Sequence, residues 1–251
     1  MSDKPLGRRQ PPNLNHVARY PLRTLIADPA HALVVPPTGT EKSLGLPWWW
    51  KQHDQGSEGS CVGFGSSAMM SITNHYQRLK ATGQDITYRY ESRWLYRESQ
   101  LVDYWPETPP EEGTSVDASC QILHARGHRR VQRGVVGPET AAHGIDAYRW
   151  ATTIDELRAA IYAGLAVSLG INWYQDFDIP DFHQNEWWIG RGALGVIRGG
   201  HCVCLYRMSD RRQAFMLMNS WGDAYQPVWI SYTVIDRLID EYGEAVVITD
   251  R

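Results

Sequence analysis

The sequence predicts an α+β protein of two lobes, on three observations. Apolar residues recur at three- and four-residue intervals over 61–79, where Phe64, Ala68, Met69, Ile72, Tyr76 and Leu79 mark the buried side of a helix. After Gly164 the texture changes to short apolar or alternating runs separated by turns, the pattern of strands. A chain of 251 residues is long enough to bury two lobes around a shared cleft. Helices first and strands later place a helical lobe at about 46–150 and a β lobe at about 151–251.

In chain order, residues 1–45 are rich in Pro and Asn, with Leu25-Ile26 and the run 32–35 set between turn signals. They read as an extended arm on a domain spanning 46–251, open to three uses: an inhibitory segment, an assembly arm that meets a partner, or plain packing. The first helix stops at Gly83. A second is signalled from Thr114 or Ser115 through Val116, Cys120 and Leu123 to a closing glycine, Gly127. A third opens on the capping pattern Thr153-Ile154-Asp155-Glu156 and runs through Leu157 and Ile161 to Gly164. Strands are expected at 166–171, 202–207, 214–218, 228–232 and 245–249, with a hairpin loop at 208–213.

Composition narrows the function. Twenty-five Lys+Arg against 28 Asp+Glu leave a net charge of −3, so no broad basic field exists to hold nucleic acid. Residues 1–12 carry no apolar stretch behind their basic residues, and no apolar run approaches the ~20 residues that cross a bilayer. A cytoplasmic protein is expected, with no membrane partner; incorporation into a larger particle stays open. Four cysteines, Cys61, Cys120, Cys202 and Cys204, are too few and too unevenly spaced for a disulfide framework. Cys202 and Cys204 share one face of a strand, where core packing is favoured over a metal corner because no second ligand pair accompanies them. No metal and no cofactor are expected.

Chemistry concentrates at Cys61. A thiolate is stabilised at the positive end of a helix, and Cys61 opens the first one. Residues 55–60 contribute two glycines and two serines, a tightly turning approach that brings backbone close to a ligand. Some 140 residues later His201 opens a strand and Asn219 follows the end of the next. A hairpin between them brings the two side chains near each other, as a base and its orienting group require.

The segment Gln55-Gly-Ser-Glu-Gly-Ser-Cys61 resembles the nucleophile motif of papain-like cysteine proteases. Gly200-His201 and Asn219-Ser220-Trp221-Gly222 resemble that family's histidine and asparagine motifs in the same order, and Gly113-Thr114-Ser115 is similar to a segment of its bacterial-type members. The resemblance covers about 45–250. It implies a papain-like fold, with the nucleophile helix in one lobe, His and Asn on an antiparallel β-barrel-like lobe, and a cleft between. It implies a cysteine endopeptidase acting on peptide or protein substrates, with Cys61 as nucleophile, His201 as acid/base, Asn219 holding the ring, Gln55 binding the oxyanion and Trp221 shielding the His–Asn bond. It further implies backbone bonds to substrate from Gly113, Thr114 and Ser115. Gly170, Gly199 and Cys202 would wall a roomy pocket suited to a large apolar or aromatic side chain. Trp173, Trp187 and Trp188, in the long segment before Gly199, either rim the leaving-group side of the cleft or only pin their loop. Glu58 and Val62 depart from common members, in place of a disulfide cysteine and a tryptophan. Three alternatives remain: a catalytically quiet assembly component, a cell-wall peptide hydrolase, and acyl transfer in place of hydrolysis.

Overall fold

A computed structural model describes residues 4–10, 21–22, 33–46, 50–84, 88–104, 112–132 and 134–250. The arm contributes a short strand, β1 (Glu41–Ser43), and the first predicted helix follows as α1 (Cys61–Thr82). Gly83 ends it at φ 69°, its N–H returning to Leu79 O, because only glycine adopts that conformation without cost. The helix is more buried than an amphipathic reading implies: every residue from Cys61 to His75 is enclosed. Its small polar residues are therefore bonded inward, with Ser66 to Ser119 and Ser168, Ser67 to His128, and Asn74 to Tyr90.

Strand β2 (Arg89–Tyr90) leads into α2 (Ser92–Val102), which periodicity over 61–79 did not reveal. Then come α3 (Val116–Ala125), β3 (His128–Gln132) and β4 (Val135–Thr140), and β2, β3 and β4 form a three-stranded sheet. The predicted start of α3 is borne out by its cap: Ser115 Oγ accepts from Ala118 N at 3.2 Å. After β5 (Ile145–Ala151), α4 (Ile154–Ala163) is capped by Thr153 Oγ1 accepting from Glu156 N, while the Glu156 carboxylate reaches back to Thr152 N at 2.6 Å.

The remaining elements are β6 (Val167–Tyr174), β7 (Asp181–His183), β8 (Glu186–Ile189), β9 (Ile197–Ser209), β10 (Ala214–Met218), β11 (Val228–Ser231), α5 (Tyr232–Asp240) and β12 (Glu244–Asp250). The large sheet runs β5-β12-β6-β9-β10-β11-β8-β7, with β1 paired to β9. The architecture is thus the α+β one expected, but the barrel-like closure is not formed. The end strand β5 is met by arm residues, Leu22 N–H bonding Trp150 O at 2.8 Å, rather than by β7, and β8 joins β11 in parallel.

The core lies between α1 and the sheet, with α2 and α3 behind the helix. Two helix glycines permit that depth. A Cβ on Gly63 would stand 2.3 Å from Ser92 O of α2, and one on Gly65 would stand 2.7 Å from Cys202 Sγ of β9. The sheet register brings three distant residues into line. Glu244 of β12 pairs with Gly170 of β6, which pairs with Cys202 of β9, so they form one row on one face.

Candidate active site

Cys61 stands at the first position of α1, fully buried. The residue before it, Ser60, makes no side-chain cap, and the first turn holds no acidic residue. The first N–H groups of the helix therefore remain unclaimed by a cap, facing the thiol end with the positive pole of the helix.

His201, on β9, is held on its far side. Its Nε2 donates to Asn219 Oδ1 at 2.8 Å just past the end of β10, and the same oxygen accepts from Ser220 N at 2.7 Å. With Nε2 carrying the proton, Nδ1 presents its lone pair. That nitrogen is buried without a hydrogen-bond partner. Trp173 meets the imidazole edge-on at 4.6 Å between centroids, and Trp221 lies over it at 4.9 Å. Trp221, itself only 4% exposed, thus lies against the ring that bonds Asn219.

Gln55 is clamped into the site's wall. Ser220 Oγ donates to its Oε1 at 2.6 Å, its backbone N bonds Ser220 O at 2.9 Å, and one side-chain amide hydrogen goes to Glu58 O at 2.8 Å. Among the described residues the second amide hydrogen makes no bond. Ser220 therefore joins the loop before Cys61 to the turn that carries Asn219, a link motif reading did not assign.

The cleft is occupied by the chain's own residues 5–9. Gly7 N and Arg8 N bond Gly200 O at 3.2 and 3.0 Å; Arg9 N bonds Thr114 O and Thr114 N bonds Gly7 O, both at 2.9 Å. Trp221 Nε1 donates to Pro5 O at 3.2 Å. Gly7 passes Gly59 backbone to backbone: a Cβ on it would fall 1.7 Å from Gly59 O. Gly113 is glycine because it sits at φ 99° and a Cβ there would be 2.7 Å from Gly7 O. The 113–115 rail is stiffened from behind by Asp103, whose carboxylate accepts from Thr114 Oγ1, Ser115 N and Ser115 Oγ. The void between His53, Phe64, Cys202 and Asn219 is about 10 Å³, room for at most one water.

Enclosure decides the charges. Burial pushes the Cys61 thiol well above its usual range, with nearby Cys202 adding to it and the backbone amides of Cys202, Gly7 and Val62 only partly opposing. Burial likewise lowers His201 to about 4, against the Asn219 hydrogen bond that raises it. In this closed form the pair is thiol and neutral imidazole.

The pocket beside the thiol departs from the resemblance. Gly170 does open space, but the side chain there is that of Arg8, whose Nε and Nη2 lie 3.0 and 2.9 Å from Glu244 Oε2 and whose Nη2 donates to Tyr242 O at 2.8 Å. The floor is a carboxylate, not an apolar surface. Gly199 borders Leu6, and Cys202 lies at the deep end, its Sγ 3.3 Å from Ser168 Oγ. Of the three tryptophans expected at the rim, Trp173 is core against His201; Trp187 pairs with Phe182 and Trp188 with Trp229 around the β7–β8 hairpin. All four cysteines are free and buried. Arg8 and Glu244 had no local signal in the sequence, being 236 residues apart.

No family model and no curated protein sequence matches the chain. Solved structures do. Xylellain, a cysteine protease from Xylella fastidiosa, superposes with a TM-score of 0.68 at 18% identity, over 99% of this chain and 97% of its own. Procathepsin L2 proteinase from the larval midgut of Tenebrio molitor gives 0.63 at 18% identity, covering 97% and 77%. ProCathepsin B S9 from Trypanosoma congolense gives 0.62 at 11%, covering 98% and 86%. The chain has the papain-like fold of these proteins.

Proposed function

We propose that the chain is a cysteine endopeptidase held closed at rest by its own residues 5–9. The observation that carries this reading is that Cys61 opens an uncapped helix with its thiol on the backbone amide of Cys202, the residue that follows a His201 whose Nε2 is fixed by Asn219 and whose Nδ1 is unpartnered. An extended segment bonds both walls beside them.

With the arm withdrawn, water reaches the pair and the thiol proton passes to His201 Nδ1. The thiolate attacks a peptide carbonyl, whose oxygen becomes anionic beside Cys61 N–H and the free amide hydrogen of Gln55. The imidazolium protonates the departing amine, leaving a thioester; His201 then takes a proton from water, which attacks that thioester and releases the acid and the thiol.

The arm resists this chemistry through its direction. The departing amine must lie within reach of His201 on the Trp221 side, so the acyl half of a substrate lies along Thr114. The arm runs the other way, pairing in parallel with Thr114 and placing Pro5 at Trp221. Its peptide groups therefore present the wrong polarity to thiol and base.

The test compares full-length wild type with Gly7→Val, whose added side chain cannot pass Gly59 O. Iodoacetamide labelling with peptide mapping is expected to modify Cys61 at least about tenfold faster in the variant while leaving Cys120, Cys202 and Cys204 slow. Unstructured protein substrates are expected to be cut by Gly7→Val and not by Gly7→Val with Cys61→Ala. Equal labelling of all four thiols in the variant, with no cleavage, removes the peptidase reading.

A further inference from the structure

Away from the cleft, the three-stranded sheet carries basic side chains that no carboxylate among the described residues answers. On β3, His128, Arg130 and Gln132 alternate onto one face, and the register sets Tyr90 of β2 beside Arg130 and Thr140 of β4 beside His128. The inner end of this face is packed on α1. There His128 is buried, stacks on Tyr90 at 4.8 Å between centroids and meets Ser67 Oγ through Nε2 at 2.9 Å. The outer end is open: a cavity of about 470 Å³ is lined by Arg130, Gln132, Val135, Pro138, Thr140 and His143. That volume falls within the roughly 300–1,000 Å³ of small-molecule sites.

His143 is placed by a turn of 3-10 helix, Ala141–His143, which begins with Thr140 Oγ1 accepting from Ala142 N at 3.3 Å. Its ring lies 5.6 Å from that of Tyr88, and the same Tyr88 ring carries the guanidiniums of Arg130 at 3.7 Å and, from α1, Arg78 at 4.6 Å. A ring face orients a guanidinium but supplies no acceptor for its N–H groups. Among the described residues neither guanidinium has an ion pair or a hydrogen bond, whereas Arg126, at the end of α3, is answered by both Glu98 and Glu139. Burial, then Arg130, then Arg78 lower the His143 pKa, against a backbone bond at Ala142. The other titratable neighbours are Tyr90, at 6.1 Å, and His128, which burial and then His143 push down to about 3, so it stays neutral.

We propose that this face of the helical lobe binds a small phosphate monoester with an apolar or aromatic body, its phosphate held by Arg130 and His143 in the field of Arg78 and its body lying against Val135 and Pro138. A phosphate is favoured over a carboxylate because the donors arrive from separate elements, β3 and the 141–143 turn. A tetrahedral dianion accepts from several directions at once, whereas a carboxylate matches one planar fork. The body follows from the wall: Val135 is 70% exposed, and inorganic phosphate would leave it wet. The site shares no residue with the cleft, so the inference stands apart from the peptidase reading.

The experiment titrates the full chain by calorimetry with phenyl phosphate, inorganic phosphate, benzoate and phenol. Phenyl phosphate is expected to bind at least about tenfold more tightly than each of the others, since it alone offers both dianion and body. Arg130→Gln and His143→Gln should each weaken it at least about fivefold and Arg78→Gln less, while Arg211→Gln, on the β9–β10 loop, leaves it within about twofold. A second measurement needs no substitution. The His143 ring protons, assigned through their contact with the Tyr88 ring, are followed by NMR against pH in the wild type. Saturating phenyl phosphate should raise their midpoint by at least about half a pH unit, because an adjacent anion favours the imidazolium that two guanidiniums disfavour. Absence of heat from phenyl phosphate up to about 10 mM, or a His143 midpoint that does not move, overturns the inference. So does binding indifferent to both Arg130→Gln and His143→Gln, or inorganic phosphate or benzoate binding as tightly as phenyl phosphate.

Discussion

The two ends of the occupied cleft treat charge in opposite ways. At the thiol end burial has driven both ionisable groups to their neutral forms: Trp173 and Trp221 enclose His201, and among the described residues no charged partner faces Cys61. At the pocket end an ion pair survives comparable enclosure, because Arg8 meets both the Glu244 carboxylate and the Tyr242 carbonyl. The difference is one of partners, not of depth. It also divides the labour: the pocket anchors the arm, and the anchored arm keeps water from the thiol end, which keeps that end uncharged.

The largest expected effects come from altering the thiol end once the arm is displaced. In the Gly7→Val background, Cys61→Ala and His201→Ala should each abolish cleavage with the fold intact. Gln55→Ala should lower kcat by about 10²-fold with a smaller change in KM, because an oxyanion donor acts on the transition state. Asn219→Ala should retain measurable activity, with the imidazole misaimed but present. Steady-state kinetics on one peptide substrate checks the order; a Gln55→Ala effect confined to KM would place that side chain in ground-state binding instead.

Acid and base are expected to loosen the arm by a smaller margin. His201, ordinarily near 6.5, is lowered to about 4 in the closed form, so between those values an opened site binds a proton that the closed site refuses. Closure therefore weakens as pH falls from about 6.5 toward 4, by up to about 1.4 kcal/mol per pH unit. Cys61 has the opposite sign. Its thiol is raised above the ordinary 9.0, so above that value an opened site loses a proton that the closed site keeps, and closure weakens again. Hydrogen exchange at the Arg9 and Thr114 amides, corrected for intrinsic rates, should show greatest protection between about pH 6.5 and 9. Protection that rises steadily down to pH 4 would contradict a neutral imidazole in the closed site.

The thiol end was legible in the sequence and the pocket end was not, for a physical reason. Cys61 is announced by a local pattern, glycines and serines leading into a helix, and His201 and Asn219 by the ends of two strands joined through a short loop. Glu244 gains its meaning from a register in which β12, β6 and β9 align Glu244 with Gly170 and Cys202, and Arg8 from 236 residues of intervening chain. Capping signals at Ser115, Thr153, Gly83 and Gly164 were readable for the same local reason. The helix α5 was hidden because its first residue, Tyr232, continues the apolar run of β11; what ends the strand is Ser231 Oγ accepting from Val234 N at 3.2 Å. Openness of the sheet was illegible too, since it depends on residues 21–22 covering β5.

The smallest expected effect lies beneath both ends, where α1 is packed through its glycines. In a helix, glycine costs about 0.5–1 kcal/mol relative to alanine, so Gly63→Ala and Gly65→Ala would stabilise the protein if space allowed. At Gly63 it does not: the added methyl would stand 2.3 Å from Ser92 O, a backbone atom at the start of α2 that cannot turn aside. At Gly65 the obstacle is Cys202 Sγ at 2.7 Å, a side-chain atom with a rotatable bond. Overpacking of a rigid contact costs about 1–3 kcal/mol, so Gly63→Ala should be destabilising on balance and Gly65→Ala milder. Urea midpoints of the two full-length variants measure this directly. The Gly65 variant carries a second reading, because a rotated Cys202 side chain alters the deep wall of the pocket while leaving Gln55, Asn219 and the start of α1 in place. Its stability loss should therefore be the smaller of the two, and its effect on peptide preference in the arm-displaced background the larger. The reverse ranking would mean that α1 is seated by the sheet rather than by α2.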